Sequence, residues 1–198
     1  VKPVLIVLAV FAGALLLLGG CGVSTYNGIV TREERVEAQW SEIQNQYQRR
    51  ADLVPQLVET VKGAKDFEQE TITAVTAARA SVGKVQLPEA PTDPTQLRDF
   101  MKAQEGLSGA LSRLLVVAEN YPQLKATQSF LSLQDQLEGT ENRIATARRD
   151  YIEAVNAFNV SIRRFPGNLV AGLLGTEKKA QLEAPEGVTE RPEIDFGK

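Results

Sequence analysis

The apolar positions of this chain fall on helical periods along nearly its whole length. Phe130, Leu137, Ile144, Tyr151, Phe158 and Phe165 recur every seven residues. Leu133, Thr140, Ala147, Ala154 and Ser161 follow three residues behind the first five. A seam of large side chains beside one of small ones suits close helix–helix packing. It predicts a helix over residues 123–164, about 60 Å long at 1.5 Å per residue; Pro166-Gly167 ends it. A second pattern places Ile29, Val36, Ile43 and Leu57 on one heptad position and Trp40, Tyr47, Val54 and Val61 on the other, with Arg50 interrupting the first. A third runs through Leu97, Phe100, Gln104, Leu107, Leu111, Leu114, Ala118 and Tyr121. A shorter one joins Phe67, Ile72, Val75, Ala78 and Val82. No strand-like alternation of useful length interrupts them.

The breaks fit the same picture. Residues 83–94 hold three prolines and read as a loop, and Asn120-Tyr121-Pro122 is a tight turn with proline suited to a first helical position. Short connections make successive helices antiparallel neighbours. The expected fold is all-α: an elongated antiparallel four-helix bundle with coiled-coil-like heptad packing. An intermolecular coiled coil is the alternative, because period alone does not say whose helix fills a seam.

The N-terminal segment differs in kind. Residues 4–18 are wholly apolar and lead into Leu18-Gly19-Gly20-Cys21, which holds the only cysteine of the chain. A branched apolar residue, two small residues and then a thiol is the pattern of a bacterial lipoprotein signal, with Cys21 the site of lipidation. A lone cysteine also excludes an internal disulfide. Left uncleaved, residues 3–20 are at the short edge of what spans a bilayer and would act as a single anchor. The expected organisation is a signal peptide or anchor over 1–20, a bundle over 21–166, and a short apolar segment with a charged, flexible tail over 167–198. The expected location is the cell membrane or outer membrane, on the extracytoplasmic side.

Composition narrows the chemistry. The formal net charge is −3, which implies neither a nucleic-acid surface nor a polybasic membrane patch. There is no histidine. That removes histidine-based triads, most zinc sites and the carboxylate-bridged di-iron bundle, which needs Glu-x-x-His on two helices. Acidic residues stay off the interior seams, Glu33 near an open end excepted, so no oxygen cage for a buried cation is expected. No phosphate loop or dinucleotide fingerprint is present. No cofactor and no catalytic residue are expected.

Five features stand out against this. Arg50 occupies a seam, where a guanidinium is costly unless paired; Asp52 is on another face, leaving Glu141 or Asp135 on another helix as ion-pair candidates, with a snorkelling arginine or a partner contact as alternatives. Pro55 lies in a heptad pattern that continues in phase, which reads as a helix kink rather than an end. Glu141-Asn142-Arg143 and Asn159 fall on the outward side of the last helix and read as a solvated face. Residues 168–175 are apolar and too short to span; a lid over the membrane-proximal end of the core is the favoured reading, and contact with headgroups the other. The tail from Glu177, with Pro185, Pro192 and Ile194-Asp195-Phe196, reads as extended or disordered with a docking end.

Several segments resemble the LemA family: Tyr26-Asn27-Gly28-Ile29-Val30, Ala38-Gln39-Trp40-Ser41-Glu42-Ile43, residues 49–63 around Asp52-Leu53-Val54-Pro55, Ala77-Ala78-Arg79, residues 111–126 through Glu119-Asn120-Tyr121-Pro122, and residues 133–151 with Thr140-Glu141-Asn142-Arg143. The resemblance covers nearly all of 26–166. It departs at Ile152, where the family tends to have asparagine, and in the anchor, since many members keep an ordinary membrane helix. It implies an N-terminally anchored helical bundle and no established catalytic activity. The expected function is that of a lipid-anchored, non-catalytic interaction or scaffold module that meets the membrane through its lipid and binds other envelope or membrane proteins. The alternatives are an envelope enzyme or subunit using surface carboxylates, and a self-assembling structural protein.

Overall fold

A computed structural model describes residues 2–65 and 67–182. Its first helix, α1, is Lys2–Lys62, 61 residues and about 92 Å at the usual rise. α2 (Gln69–Lys84), α3 (Pro94–Ala118), α4 (Pro122–Lys125), α5 (Gln128–Ser161) and α6 (Gly167–Leu174) follow. The described residues contain no strand. The fold is an all-α bundle. α1 rises, α2 and the loop after it return, α3 rises again and α5 descends. Trp40 stacks against both Tyr151 on α5 and Phe100 on α3, with centroids 5.3 and 5.2 Å apart.

Two parts of α1 have different surroundings. Up to Val23 its described apolar side chains are exposed; from Ile29 onward Val36, Trp40, Ile43, Tyr47, Val54, Leu57 and Val61 are buried. The helix runs unbroken through Gly19-Gly20-Cys21. Stem and first bundle helix are therefore one element.

The structure departs from the expected single helix over 123–164. The chain breaks at Ala126–Thr127, because Thr127 serves as the N-cap of α5: its Oγ1 accepts from the Phe130 amide at 3.3 Å and donates to Leu124 O at 2.8 Å. The helix also ends earlier, at Ser161, so the last seam position is lost. Phe165 is 80% exposed and Ile162 takes its place in the core. The turn that follows needs Gly167, since a Cβ there would lie 2.1 Å from Ser161 O.

The core divides in two along the rod. The lower cluster holds Ile29 to Tyr47 of α1 with Phe100, Ile144, Tyr151 and Phe158; the upper holds Ala51 to Val61 with Leu107 to Ala118 and Phe130 to Leu137. Between them lies a polar layer. Among the described residues, three of the four buried polar or charged ones, Arg50, Gln104 and Thr140, are in it.

Candidate functional site: a buried arginine layer, a fastened tail and an apolar stem

Arg50 faces inward because it occupies the same heptad position as Ile43 and Leu57, and it is only 1% exposed. Its Nη2 donates to both Gln104 O and Gln104 Oε1, at 2.9 and 2.8 Å. Its Nη1 donates to Ser108 Oγ at 2.6 Å and to Glu141 Oε1 at 2.8 Å. Ser108 Oγ donates to the same carboxylate oxygen at 3.1 Å. The guanidinium also lies 5.1 Å from the Tyr47 ring centroid. One side chain thus ties α1, α3 and α5 at one level. Glu141 is the carboxylate that meets Arg50; Asp135, the other candidate, is exposed and takes no part. The Glu141 side chain remains 48% exposed, so its free oxygen can be hydrated. Burial pushes the Tyr47 hydroxyl up, against the pull of Arg148 and Arg50. Four hydrogen bonds hold the guanidinium, so it fixes the position of three helices against one another. Gln104 was visible as a polar residue in an apolar seam; that two such residues on different helices should meet is the signal the period alone does not give.

Pro55 lies inside α1, which continues through it. Proline has no amide proton, so the carbonyl four residues back, Ala51 O, loses its helical donor. Arg79 Nε of α2 donates to that carbonyl at 3.0 Å. The defect in one helix is the docking point of the next.

The tail is fastened further than expected. Asn159 Nδ2 donates to Lys179 O at 2.9 Å while its Oδ1 accepts from the Lys179 amide at 3.0 Å. The Ala180 amide donates to Pro91 O at 2.7 Å, and the Tyr151 hydroxyl donates to Ala180 O at 3.2 Å. Lys179 Nζ donates to Glu37 Oε1 at 2.7 Å and lies 3.6 Å from Glu33. Glu37 Oε2 meanwhile accepts from the Ala90 amide at 2.8 Å, so one carboxylate holds both the 85–93 loop and the tail. Residues 176–182 therefore form an extended strap, with Ala180 and Leu182 buried in the lower core. Asn159 belongs to that fastening rather than to a solvated face. Burial first, then the Glu37 charge, raises the Tyr151 pKa and keeps its hydroxyl a donor. Pro185, Pro192 and Ile194-Asp195-Phe196 lie outside the described residues.

At the far end a cleft of about 830 Å³ opens between the two helical turns, lined by Gly63, Ala64, Asn120, Tyr121, Pro122 and Leu124 among others. At the near end Cys21 is exposed on α1, a helix long and apolar enough near its N-terminus to cross a membrane. Among the described residues no group of three or more Cys, Asp or Glu is placed to hold a metal ion.

The sequence model of the LemA family matches residues 39–196. The chain belongs to the LemA family. The matched span takes in the arginine layer, Pro55 with Arg79, and the strap; the stem and Cys21 precede it. It also extends past Pro166, where the resemblance read from residues stops. Among relatives, Protein LemA of Metamycoplasma hominis is 27% identical over 87% of this chain and 74% of its own length. Magnetosome protein MamQ 2 of Paramagnetospirillum magneticum is 28% identical over 83% of this chain and 67% of its own. Magnetosome protein MamQ of Magnetospirillum gryphiswaldense is 25% identical over 94% and 75%.

Proposed function

We propose that this LemA-family chain is a membrane-anchored envelope protein whose bundle binds other envelope or membrane proteins without catalysing a reaction. The observation that carries this reading is the continuity of α1: an exposed apolar stem and a helix packed into the bundle are one continuous element. A flexible linker would leave the bundle free to tumble. A helix holds the distal cleft about 60 Å from Cys21, forty residues further along the same axis. The hydrogen bonds that tie Arg50 to α3 and α5 support a mechanical and recognitional role.

The finer reading is lipidation at Cys21 after cleavage before it, carried by Leu18-Gly19-Gly20-Cys21. A second reading, an uncleaved membrane helix, is favoured by the unbroken course of α1 through those residues. Intact mass of the protein purified from membranes separates them: lipidation adds a diacylglyceryl mass to a chain starting at Cys21, whereas the second reading leaves the stem attached and the thiol free. The interaction role is tested by a photo-crosslinking residue at Gln123 in intact cells. Adducts to other envelope or membrane proteins are expected. Adducts to this chain alone would replace the interaction module with a self-assembling one.

A further inference from the structure

α6 is apolar all round: Gly167-Asn168-Leu169-Val170-Ala171-Gly172-Leu173-Leu174 has one polar side chain. Its inner face behaves as the expected lid, with Ala171 buried and Val170 packed on the lower core. A lid on a water-facing end should be polar outside. This one is not: Leu169 is 59% and Leu173 89% exposed, Leu174 is exposed beside them, and Phe165 stands just before the helix. Among the described residues beyond α1, these four are most of the large exposed apolar side chains; only Val116, Leu131 and Val160 join them. No part of the described chain covers the patch.

Its position says what does. α6 packs on α1, and Ile29, the first buried residue of α1, shares the lower core with Ala171 of α6. Ile29 is eight residues, about 12 Å, above Cys21, so α6 begins where the apolar stem ends. Charge agrees. Residues 154–176 contain no acidic residue, and neither do residues 1–32, although the chain has 25. The turn into α6 instead carries exposed Arg163 and Arg164. Arg32 reaches down α1 to donate to Gly28 O at 2.7 Å, toward the same end.

We propose that the outward face of α6, with Phe165, lies in the interfacial layer of an anionic bilayer and seats the base of the bundle on it. This rests on the membrane-anchored reading above. Apolar faces held at the interface sink about 5–10 Å into the headgroup–acyl boundary, with flanking cations at the phosphates. A seat beside a rigid stem fixes the tilt of the rod as well as its height.

The test uses the full chain carrying Cys21→Ser and either Leu173→Cys or Gln123→Cys, labelled with an environment-sensitive fluorophore. The protein is reconstituted into vesicles of 70:30 phosphatidylcholine and phosphatidylglycerol. After flotation, the expected result is at least a twofold quench of the position-173 label by shallow spin-labelled lipid, weaker quenching by a deep one, and none at position 123. Adding Phe165→Ser and Leu169→Ser should abolish most of the position-173 quench while the protein still floats. Protein that floats with position 173 unquenched overturns the seat and leaves the anchor standing. A blue shift at 173 that grows with protein-to-lipid ratio without lipid quenching assigns the patch to a second copy and overturns the proposal. Protein that fails to float overturns the anchoring reading itself.

Discussion

Replacing Arg50 should separate what the ion pair contributes from what the buried layer contributes. Arg50→Ala strands Gln104, 3% exposed, with two acceptors that now receive nothing from the guanidinium. Gln104 O keeps its helical donor within α3, so the orphaned acceptor is Oε1, at about 1–3 kcal/mol. With the emptied volume, the loss is roughly 3–5 kcal/mol, the range for breaking a buried pair. Glu141→Gln is milder. The carboxylate is half exposed, water can reach it, and the amide still offers an acceptor, so about 1 kcal/mol is expected. Arg50→Leu refills the space but leaves Gln104 unsatisfied, at about 1–3 kcal/mol. Combining Arg50→Leu with Gln104→Leu joins the two apolar clusters and should recover most of the loss, because well-packed apolar residues can replace a buried ionic group. The assay is urea unfolding of the full chain in mild detergent, followed by the fluorescence of Trp40, the only tryptophan and fully buried. An Arg50→Ala loss under about 1 kcal/mol, or a double-leucine variant as unstable as Arg50→Ala, would refute the reasoning.

Arg79→Ala should cost about 1–2 kcal/mol in the natural background and distinctly less beside Pro55→Ala, where a restored amide serves Ala51 O; a double-mutant cycle with no coupling would count against the shared carbonyl. Asn159→Ala removes both hydrogen bonds to Lys179 and should speed hydrogen exchange in residues 179–182 at least tenfold, leaving α3 unchanged. The Tyr151 pKa is raised in the folded state, so the native protein holds that proton more tightly. Stability should be full below about pH 10, the unfolded value, and fall above it. Tyr151→Phe should flatten that fall in melts taken between pH 8 and 11, and an unchanged slope would contradict the burial.

The heptads made the helices and most of the core legible, since a seven-residue period reports which side of a helix must be dry. They carried no information on where a helix stops. The Thr127 cap depends on one hydroxyl oxygen and two backbone groups, and the early end at Ser161 on the turn Gly167 permits. Arg50 and Glu141 could be paired on paper because a guanidinium in a seam demands a partner. Ser108 is small and polar, with nothing in its spacing to mark it. The strap was the least legible part: Glu177, Lys178 and Lys179 look like solvent-exposed tail, and only the fold brings Asn159 and Glu37 to Lys179 and Tyr151 to Ala180. Pro55 held an unused signal, since a proline in a continuing helix names the carbonyl four residues back that needs an outside donor.

The central claim is that the N-terminal segment, as an apolar stem over residues 2–20 or as a lipid on Cys21, holds the bundle on a membrane. Carbonate-washed membranes from cells expressing the full chain, or a chain lacking those residues and starting from a fresh methionine with Cys21→Ser, test it directly. The full chain should remain in the membrane pellet and the shortened one should appear, folded and helical by circular dichroism, in the soluble fraction. Release of the full chain by carbonate, or retention of the shortened folded bundle in the washed pellet, would contradict the account.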